Sequence, residues 1–359
     1  MAMDYMKETK EISAEEAIIL WQASRLSLSK SYEKAPEILK VHDSVIGTLG
    51  NFSASIGKAK SKKTFNVSAI VAAALKNGTV LRYVAELPED KRKVLYVDTE
   101  QSPYHCLKVM TRILRMAGLP DDRDNENLEF LALRKYTPEQ RIRIVEQAIY
   151  NTPEIGLVII DGIRDMVYDI NSPSESTRII SKLMQWTDDR QIHIHTILHQ
   201  NKGDENARGH IGTELNNKAE TVLQVEKDKG NGDISHVSAI HIRAMDFEPF
   251  AFRINDKALP ELIEGYKPET KKPGRPEEEK FDPYRHITEQ HRIALEAAFG
   301  LKEEYGYKEL EDALIKIYMS VGVKLNHKKA VSLITMLRNK RMIVQENGRK
   351  YTFMPDFHY

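Results

Sequence analysis

One short segment limits the folds open to this chain more than any other. Residues 57–64 read Gly-Lys-Ala-Lys-Ser-Lys-Lys-Thr, directly after the apolar run 52–57 and before a stretch of helical period at 63–77. The segment fits the phosphate-loop pattern G-x-x-x-x-G-K-[ST], except that Lys62 replaces the second glycine. In such a loop, backbone N–H groups and the helix N-terminus hold phosphate oxygens. The pattern therefore predicts a strand, a phosphate loop and a helix, in that order.

Three residues of this loop are expected to carry its chemistry. Gly57 starts the loop, Lys63 would reach the terminal phosphates of ATP, and the Thr64 hydroxyl would ligate Mg²⁺. Because the missing glycine often supplies a backbone geometry that costs energy for other residues, we expect Lys62 to affect turnover more than nucleotide binding. A solvated basic loop is the alternative interpretation. The residues predicted to contact the nucleotide are Gly57, Lys58, Ala59, Lys60, Ser61, Lys62, Lys63, Thr64 and Phe65.

Apolar runs alternate with helical stretches on both sides of this loop. Strands are predicted at 52–57, 93–99, 128–134, 156–161 and 192–198, and helices between the first four at 63–77, 101–118 and 138–151. Near-continuous apolar strands separated by helices indicate an α/β fold with a mainly parallel sheet covered on both faces. After residue 198 the helical spacing is lost, and hairpin-linked strands are predicted at 219–227, 235–243 and 250–254.

Carboxylates follow two of the predicted strands. Asp161 ends the run 156–161, where it would hold Mg²⁺ through water. Asp98 and Glu100 come at the end of the run 93–99, and a carboxylate beside the γ-phosphate can orient and activate the attacking water. The alternatives are that Asp161 is an ordinary loop residue and that Glu100 caps the following helix. We predict phosphate hydrolysis, with Glu100 as the general base.

The order of these features resembles that of RecA-fold ATPases, specifically the plasmid RepA-like hexameric helicase group. The resemblance covers about residues 35–260 and rests on GKAKSKKTF, VLYVDTEQS, LVIIDGIRD and HTILHQNKGDENARGHIGTELNNKAETVLQVEK. It implies that Glu100 is the catalytic base. It also implies that a polar residue at the end of the next strand, His199 or Gln200, senses the γ-phosphate. A structural role is the alternative for this histidine.

The resemblance further implies a homo-oligomer, up to a hexameric ring with single-stranded DNA in its channel. A basic residue from the neighbouring subunit would then complete each site. We predict Arg243 for this role, with Arg253, Lys227 and Lys229 as competitors and a surface ion pair as the alternative. The loop after His199 would face the DNA, unless it is only solvated, and its contacts would be made by Lys202, Arg208 and His210.

The remaining parts of the chain flank this core. Residues 266–283 hold four prolines among dense charges and are typical of a linker. A helix with a Ser13–Glu16 capping box is predicted at 11–30. We therefore divide the chain into a helical N-terminal segment at 1–40, an ATPase domain at 41–265, the linker at 266–283 and a small domain at 284–359.

The small domain has the element order of a winged helix. Helical patterns at 287–299, 307–321 and 327–340 precede two short strands around Asn347-Gly348, a strong turn dipeptide. Residues 324–350 hold eight Lys or Arg against one Glu, and a basic helix followed by a hairpin suits contacts to duplex phosphates. A protein-binding or merely solvated face is the alternative. The predicted DNA contacts are Lys328, Lys329, Arg338, Lys340 and Arg341.

Composition excludes several classes of protein. The 359 residues hold 53 Lys plus Arg and 53 Asp plus Glu, so any nucleic-acid site must be a local patch. The single Cys106 cannot form an intramolecular disulfide, which fits a reducing compartment. No apolar run approaches the roughly 20 residues of a membrane span, and the N-terminus lacks the apolar core of a signal peptide. We expect a soluble cytoplasmic protein that does not bind membranes.

These features together predict a Mg²⁺-dependent ATPase that acts on DNA. The resemblance implies a RepA-like helicase or translocase in the replication or mobilisation of a mobile element. Two alternatives stay open. One is a DNA-binding regulator or initiator that ATP switches, and the other is an ATPase that loads a partner protein onto DNA.

Overall fold

The computed structural model describes residues 12–200, 207, 209–266, 283, 288–346 and 350–356. The chain divides into two compact units, Met1–Pro268 and Glu269–Tyr359. Two hydrophobic cores belong to the first unit and a third to the second. Among the described residues, no helix combines the length and the apolar composition that a membrane crossing requires.

The first unit contains thirteen strands within the described ranges, which form two sheets. The strands are β1 (Glu37–Val41), β2 (Ser44–Thr48), β3 (Phe52–Gly57), β4 (Thr79–Val80), β5 (Tyr83–Ala85), β6 (Lys93–Asp98), β7 (Leu128–Ala132), β8 (Ile155–Asp161), β9 (His193–His199), β10 (Thr221–Lys227), β11 (Ile234–Ile242), β12 (Phe250–Ile254) and β13 (Pro260–Ile263). Its α-helices are α1 (Ala14–Ala23), α2 (Lys63–Lys76), α3 (Pro103–Ala117), α4 (Pro138–Asn151), α5 (Pro173–Arg190) and α6 (Gly209–Lys218).

The large sheet has the order β13-β12-β11-β10-β3-β9-β8-β6-β7. The strands from β10 to β7 in this order are parallel to their neighbours, whereas β11, β12 and β13 add on as antiparallel strands. The mainly parallel α/β sheet predicted from the sequence is therefore confirmed. Because the central strands are parallel, β3, β6, β8 and β9 bring their carboxyl ends to one edge of the sheet.

Helices cover both faces of this sheet. Side chains alternate along each strand, so Tyr96 of β6 belongs to the core shared with α2 and α3, whereas Val97 belongs to the core shared with α4, α5 and α6. The small sheet, of order β2-β1-β5-β4, packs into the first of these cores. Its first strand begins at Glu37, inside the range assigned to the N-terminal segment.

Three helices differ from the prediction. Helix α1 ends at Ala23 rather than near residue 30, because none of its residues is buried and the Ser24 hydroxyl donates back to the Trp21 carbonyl at 3.0 Å. Helix α5 lies where none is predicted. Helix α6 forms where the helical spacing was expected to end, because buried Ile211 and Leu215 anchor one face of a glycine-rich segment.

Within its described residues, the second unit contains three α-helices and two paired strands. These are α7 (Thr288–Leu301), α8 (Tyr307–Ser320), α9 (His327–Asn339), β14 (Ile343–Glu346) and β15 (Lys350–Phe353). The two strands are antiparallel, and the predicted Asn347-Gly348 turn lies outside the described residues. Leu295, Leu314 and Leu337 meet in a core of their own, which is the arrangement that three amphipathic helices require.

Candidate nucleotide site

The phosphate loop begins at a glycine that no other residue could replace without moving the backbone. A Cβ on Gly57 would lie 2.3 Å from the Val225 carbonyl oxygen and 2.7 Å from the Ser61 hydroxyl. This close approach places the end of β3 directly against β10. The loop then turns through Lys58–Ser61 into helix α2, as the sequence predicts.

The lysine that replaces the pattern glycine keeps a glycine-like backbone. Lys62 has a φ of 69° and Lys60 a φ of 64°, both in the left-handed region that is costly for residues with a Cβ. The Lys62 ammonium donates to the Asp233 carbonyl at 2.5 Å, in the turn between β10 and β11. The loop therefore retains its geometry at a conformational cost, and Lys62 connects it to the neighbouring hairpin.

Lys63 is buried at the centre of the loop, with 6% of its surface exposed. Its ammonium donates to the carbonyls of Gly57 at 2.8 Å and Lys58 at 3.0 Å, and it lies 3.1 Å from His199 Nδ1. Burial lowers the pKa of Lys63 to about 8. The loop's own carbonyls thus hold the ammonium in the place where a phosphate would compete for it.

The two predicted metal ligands are adjacent. The Thr64 hydroxyl donates to Asp161 Oδ2 at 3.2 Å, and the Tyr96 hydroxyl donates to the same oxygen at 2.9 Å. Burial, and then the nearby Asp98 carboxylate, raise the pKa of Asp161 to about 7. A proton near this carboxylate is thus favoured, and a divalent cation would serve the same electrostatic purpose.

This pair fits Mg²⁺. Mg²⁺ favours one or two protein oxygens with water and substrate phosphates over an all-protein cage. Thr64 and Asp161 offer one hydroxyl and one carboxylate, and within the described ranges no group of three or more His, Cys, Asp or Glu could hold a metal ion alone. The phosphates of a nucleotide would have to supply the remaining ligands.

The two carboxylates after β6 have different surroundings. Asp98 is buried and accepts hydrogen bonds from the backbone of Glu100 at 2.9 Å and of Gln101 at 2.7 Å. Ser102 is the N-cap of helix α3, so the alternative that Glu100 caps this helix is wrong. Glu100 instead points into the pocket, where His199, and then Lys63, lower its pKa. It is therefore an ionised acceptor at neutral pH.

His199 lies between the loop lysine and this carboxylate. Its Nδ1 is 3.1 Å from Lys63 Nζ and its Nε2 is 3.7 Å from Glu100 Oε1. Because an ammonium can only donate, Nδ1 is the accepting nitrogen, and the proton on Nε2 faces Glu100. Gln200 is buried, and its N–H donates to the Gly57 carbonyl at 3.1 Å. Both positions predicted to sense phosphate are thus in contact with the loop or its lysine.

A cavity of about 440 Å³ unites these groups. It also contains residues that the sequence did not indicate. The Arg112 guanidinium lies 3.7 Å from the centre of the Phe65 ring, a cation–π contact at the cavity wall. Arg164, three residues after Asp161, lines the same cavity. The unpredicted polar side chains among the lining residues are Gln101, His105, Lys108, Arg112 and Arg164.

The predicted finger residue is not part of this cavity. Antiparallel pairing of β11 with β10 puts Ser235 opposite Lys227, at the loop edge, and Ile242 opposite Thr221, at the other edge. Arg243 follows Ile242 and therefore lies at the edge away from its own phosphate loop. Arg253 pairs opposite Ile234 and so shares the loop edge with Lys227.

The predicted DNA contacts fall into three groups. Lys202 and Arg208 lie outside the described residues. His210 is exposed in the first turn of α6. The basic residues of the second unit lie in or just beyond α9, where the surface exposes Lys328, Arg338, Lys340 and Arg341 and partly exposes Lys329.

A family match covers the residues that line this cavity. Residues 29–205, just under half of the chain, match the family described as AAA domain. No curated protein matches the chain. Among solved structures, the RadB recombinase is similar at 15% identity and a TM-score of 0.41, over 58% of this chain and 90% of the RadB chain. A likeness of that size says nothing about activity.

The matched range contains the phosphate loop and the three strand ends that surround it. In the mainly parallel sheet, the strand β3 that leads into the loop lies between β9 and β10. The two strands beyond β9 are β8, which ends at Asp161, and β6, which Glu100 follows. The first unit of this chain is therefore a mixed α/β domain with a mainly parallel sheet, and the range that resembles an AAA domain contains its candidate nucleotide site.

Proposed function

We propose that this protein is a Mg²⁺-dependent ATPase whose turnover is coupled to DNA. The observation that carries this proposal is the contact series from Lys63 through His199 to Glu100, beside the Thr64–Asp161 pair. Phosphate binding, metal binding and water activation thus have candidate groups within one cavity. That combination is what phosphoryl transfer to water requires.

Each side chain would have a distinct task in hydrolysis. The loop N–H groups and the start of α2 would hold the phosphates, and Lys63 would exchange the carbonyls of Gly57 and Lys58 for the β- and γ-phosphates. Thr64 and Asp161 would hold Mg²⁺, which neutralises charge on those phosphates. Glu100 would accept the proton of the attacking water. His199 touches both Lys63 and Glu100, so it would respond to the terminal phosphate.

A ring in which neighbours share sites is the assembly we propose. Arg243 lies at the edge of the sheet away from its own loop, so only a nucleotide bound by another subunit is within its reach. Head-to-tail contacts of this kind repeat into a closed ring when the rotation between neighbouring subunits closes. In this ring, a RepA-like helicase or translocase would pass single-stranded DNA near α6 and duplex DNA along the winged-helix-like second unit.

The test is steady-state ATP hydrolysis with and without single-stranded DNA. Lys63→Ala should abolish both nucleotide binding and turnover. Glu100→Gln should keep binding and lower turnover at least about 100-fold, because a general base contributes roughly that factor. Lys76→Ala, which removes an exposed lysine at the end of the same helix, is the matched control. Wild-type turnover in both site variants would refute the proposed site.

One observation favours an ATP-switched DNA-binding regulator as a second candidate. The Lys63 ammonium is held by the carbonyls of Gly57 and Lys58, so it must leave them before it can bind phosphates. Tight ATP binding with negligible turnover, unchanged by single-stranded DNA, would select this candidate. Hydrolysis stimulated severalfold by single-stranded DNA would select the motor.

A further inference from the structure

The turn that follows Asp161 is held firmly at the mouth of the cavity. Gly162 has a φ of 104°, and a Cβ there would lie 2.1 Å from the Thr99 hydroxyl, so the backbone fits only a glycine. The Thr99 hydroxyl lies 3.0 Å from an Asp165 carboxylate oxygen, and Arg141 donates to the Asp165 carbonyl at 2.6 Å. Residues 162–166 are therefore fixed to β6 and α4.

Arg164 is carried by this fixed turn, yet its own side chain is uncommitted. It is exposed and lines the cavity together with Lys63, Thr64 and Glu100. Within the described part of the chain its guanidinium makes no hydrogen bond and no ion pair within 4.0 Å, and it acts on the Glu100 and Asp165 carboxylates only at longer range. The Arg164 guanidinium makes no contact that would stabilise the fold, yet a fixed backbone holds it at the cavity. Fold stability therefore does not account for its position.

The other arginine in the cavity differs in this respect. Arg112 is half-buried, stacks on Phe65 and lies 3.5 Å from the Ser68 hydroxyl, so its position is set by packing. Arg141, below the turn, donates to four backbone carbonyls and is fully used in the fold. Arg164 differs from both, because its guanidinium has no hydrogen-bond or stacking partner among the described residues and faces the cavity.

The charge of a nucleotide also favours a second cation beside Lys63. A terminal phosphate carries more charge than one ammonium balances. A guanidinium stays charged at any relevant pH, and its planar fork matches two phosphate oxygens.

We infer that Arg164 contacts the terminal phosphate of ATP bound in its own subunit. The inference rests on the proposed ATP site and adds a phosphate-recognising residue to it. Arg164 would distinguish ATP from ADP, since the latter lacks the group that the guanidinium binds. It would act in cis, unlike the finger proposed for Arg243.

The experiment compares the binding of two Mg²⁺ nucleotides to the full-length chain. Arg164→Gln should weaken the β,γ-imido analogue of ATP about tenfold relative to wild type and leave ADP affinity within twofold. Arg178→Gln removes an exposed arginine of α5 outside the cavity and should change neither affinity. Equal affinities in wild type and Arg164→Gln for both nucleotides would overturn the inference.

Two further measurements keep this inference separate from the proposed function. If wild type binds neither nucleotide and Lys63→Ala changes nothing, the ATP site itself fails. If Lys63→Ala loses binding while Arg164→Gln does not, only the role of Arg164 fails. An equimolar mixture of Lys63→Ala and Arg164→Gln tests the cis arrangement. Turnover above the sum of the separate variants would show action in trans and overturn it.

Discussion

Asp161 is buried at the edge of the sheet, and burial disfavours the negative charge that a metal ligand needs. The residue is 8% exposed, and burial is the largest cause of its raised pKa, about 7. An ordinary aspartate titrates near 4, so between these values the folded protein binds a proton that the unfolded chain does not. As pH rises through this window, the contribution of this residue therefore lowers the free energy of unfolding.

Asp161→Asn should reveal this penalty in protein stripped of metal and nucleotide. The variant should gain stability relative to wild type as pH rises from 5 to 8, by roughly 2–3 kcal/mol, because each pKa unit corresponds to about 1.4 kcal/mol. Urea unfolding in EDTA at the two pH values measures the difference. Asp122→Asn, at an exposed carboxylate, should show no such change. An equal offset at both pH values would mean that Asp161 is ionised without cost.

Residue types at strand ends explain how much of the site was predictable. Glu100, Asp161 and His199 end or follow apolar runs, and Lys63 and Thr64 complete the phosphate loop after another. Parallel strands bring those ends together, so the sequence predicted that these residues lie close to one another. Tyr96 was missed because an aromatic residue inside an apolar run is indistinguishable from core. Arg164 was missed because nothing in its spacing separates it from a solvated arginine.

At the scale of elements, two neighbouring strands pair their polar residues. The β9 run IHIHTIL contains two histidines, and β3 contains two serines in matching positions. Ser53 lies 2.7 Å from His193 Nε2 and from His195 Nδ1, and Ser55 lies 2.8 Å from His195 Nε2. Burial lowers the pKa of His195 to about 3, so the ring stays neutral in the core. These polar residues inside the predicted strands therefore indicate hydrogen bonding between β3 and β9, not a functional site.

Short and glycine-rich elements were the least predictable. Strands β1, β2, β4 and β5 have five residues or fewer, too few for a periodic pattern to stand out. They form because they pack on α2: Tyr83 of β5 is fully buried, and its hydroxyl donates to Asn66 at 2.8 Å. Tertiary burial, which no local window contains, decided these elements.

Lys62 couples two elements, the phosphate loop and the β10–β11 turn. Lys62→Gly should restore the pattern glycine and relieve the left-handed backbone, a gain of up to about 1 kcal/mol that offsets the lost contact with Asp233. Global stability should therefore change little. Amide hydrogen exchange at 228–234 should become severalfold faster, because the turn loses its anchor.

Lys60→Gly is the matched control for this variant. Lys60 shares the left-handed backbone and lines the nucleotide cavity, but the ammonium that donates to the Asp233 carbonyl is that of Lys62. Its replacement should leave exchange at 228–234 unchanged. Equal exchange in the two variants would show that the Lys62 ammonium does not fix the turn.

At the scale of the whole molecule, charge is divided unevenly although its sum is zero. The 53 basic and 53 acidic residues cancel over the chain, yet 324–350 holds eight basic residues and one acidic residue. Arg338 and Arg341 lie at the end of α9 and line a cavity of about 550 Å³ beside β14. A basic helix and hairpin in an otherwise neutral protein suit contacts with DNA phosphates. Solubility alone would not require the basic residues to be concentrated in one segment.

Replacing both arginines in the full-length chain tests this duplex-binding role. Arg338→Gln with Arg341→Gln should weaken duplex binding and reduce the slope of log affinity against log salt by roughly 2, since each phosphate contact contributes about 0.9. Lys308→Gln with Lys316→Gln removes the same charge from the exposed face of α8 and should leave the slope unchanged. Fluorescence anisotropy of a labelled duplex over a salt series measures both. An equal loss of duplex affinity in the two double variants would mean that net charge alone attracts DNA. The end of α9 would then not be a specific DNA-binding surface.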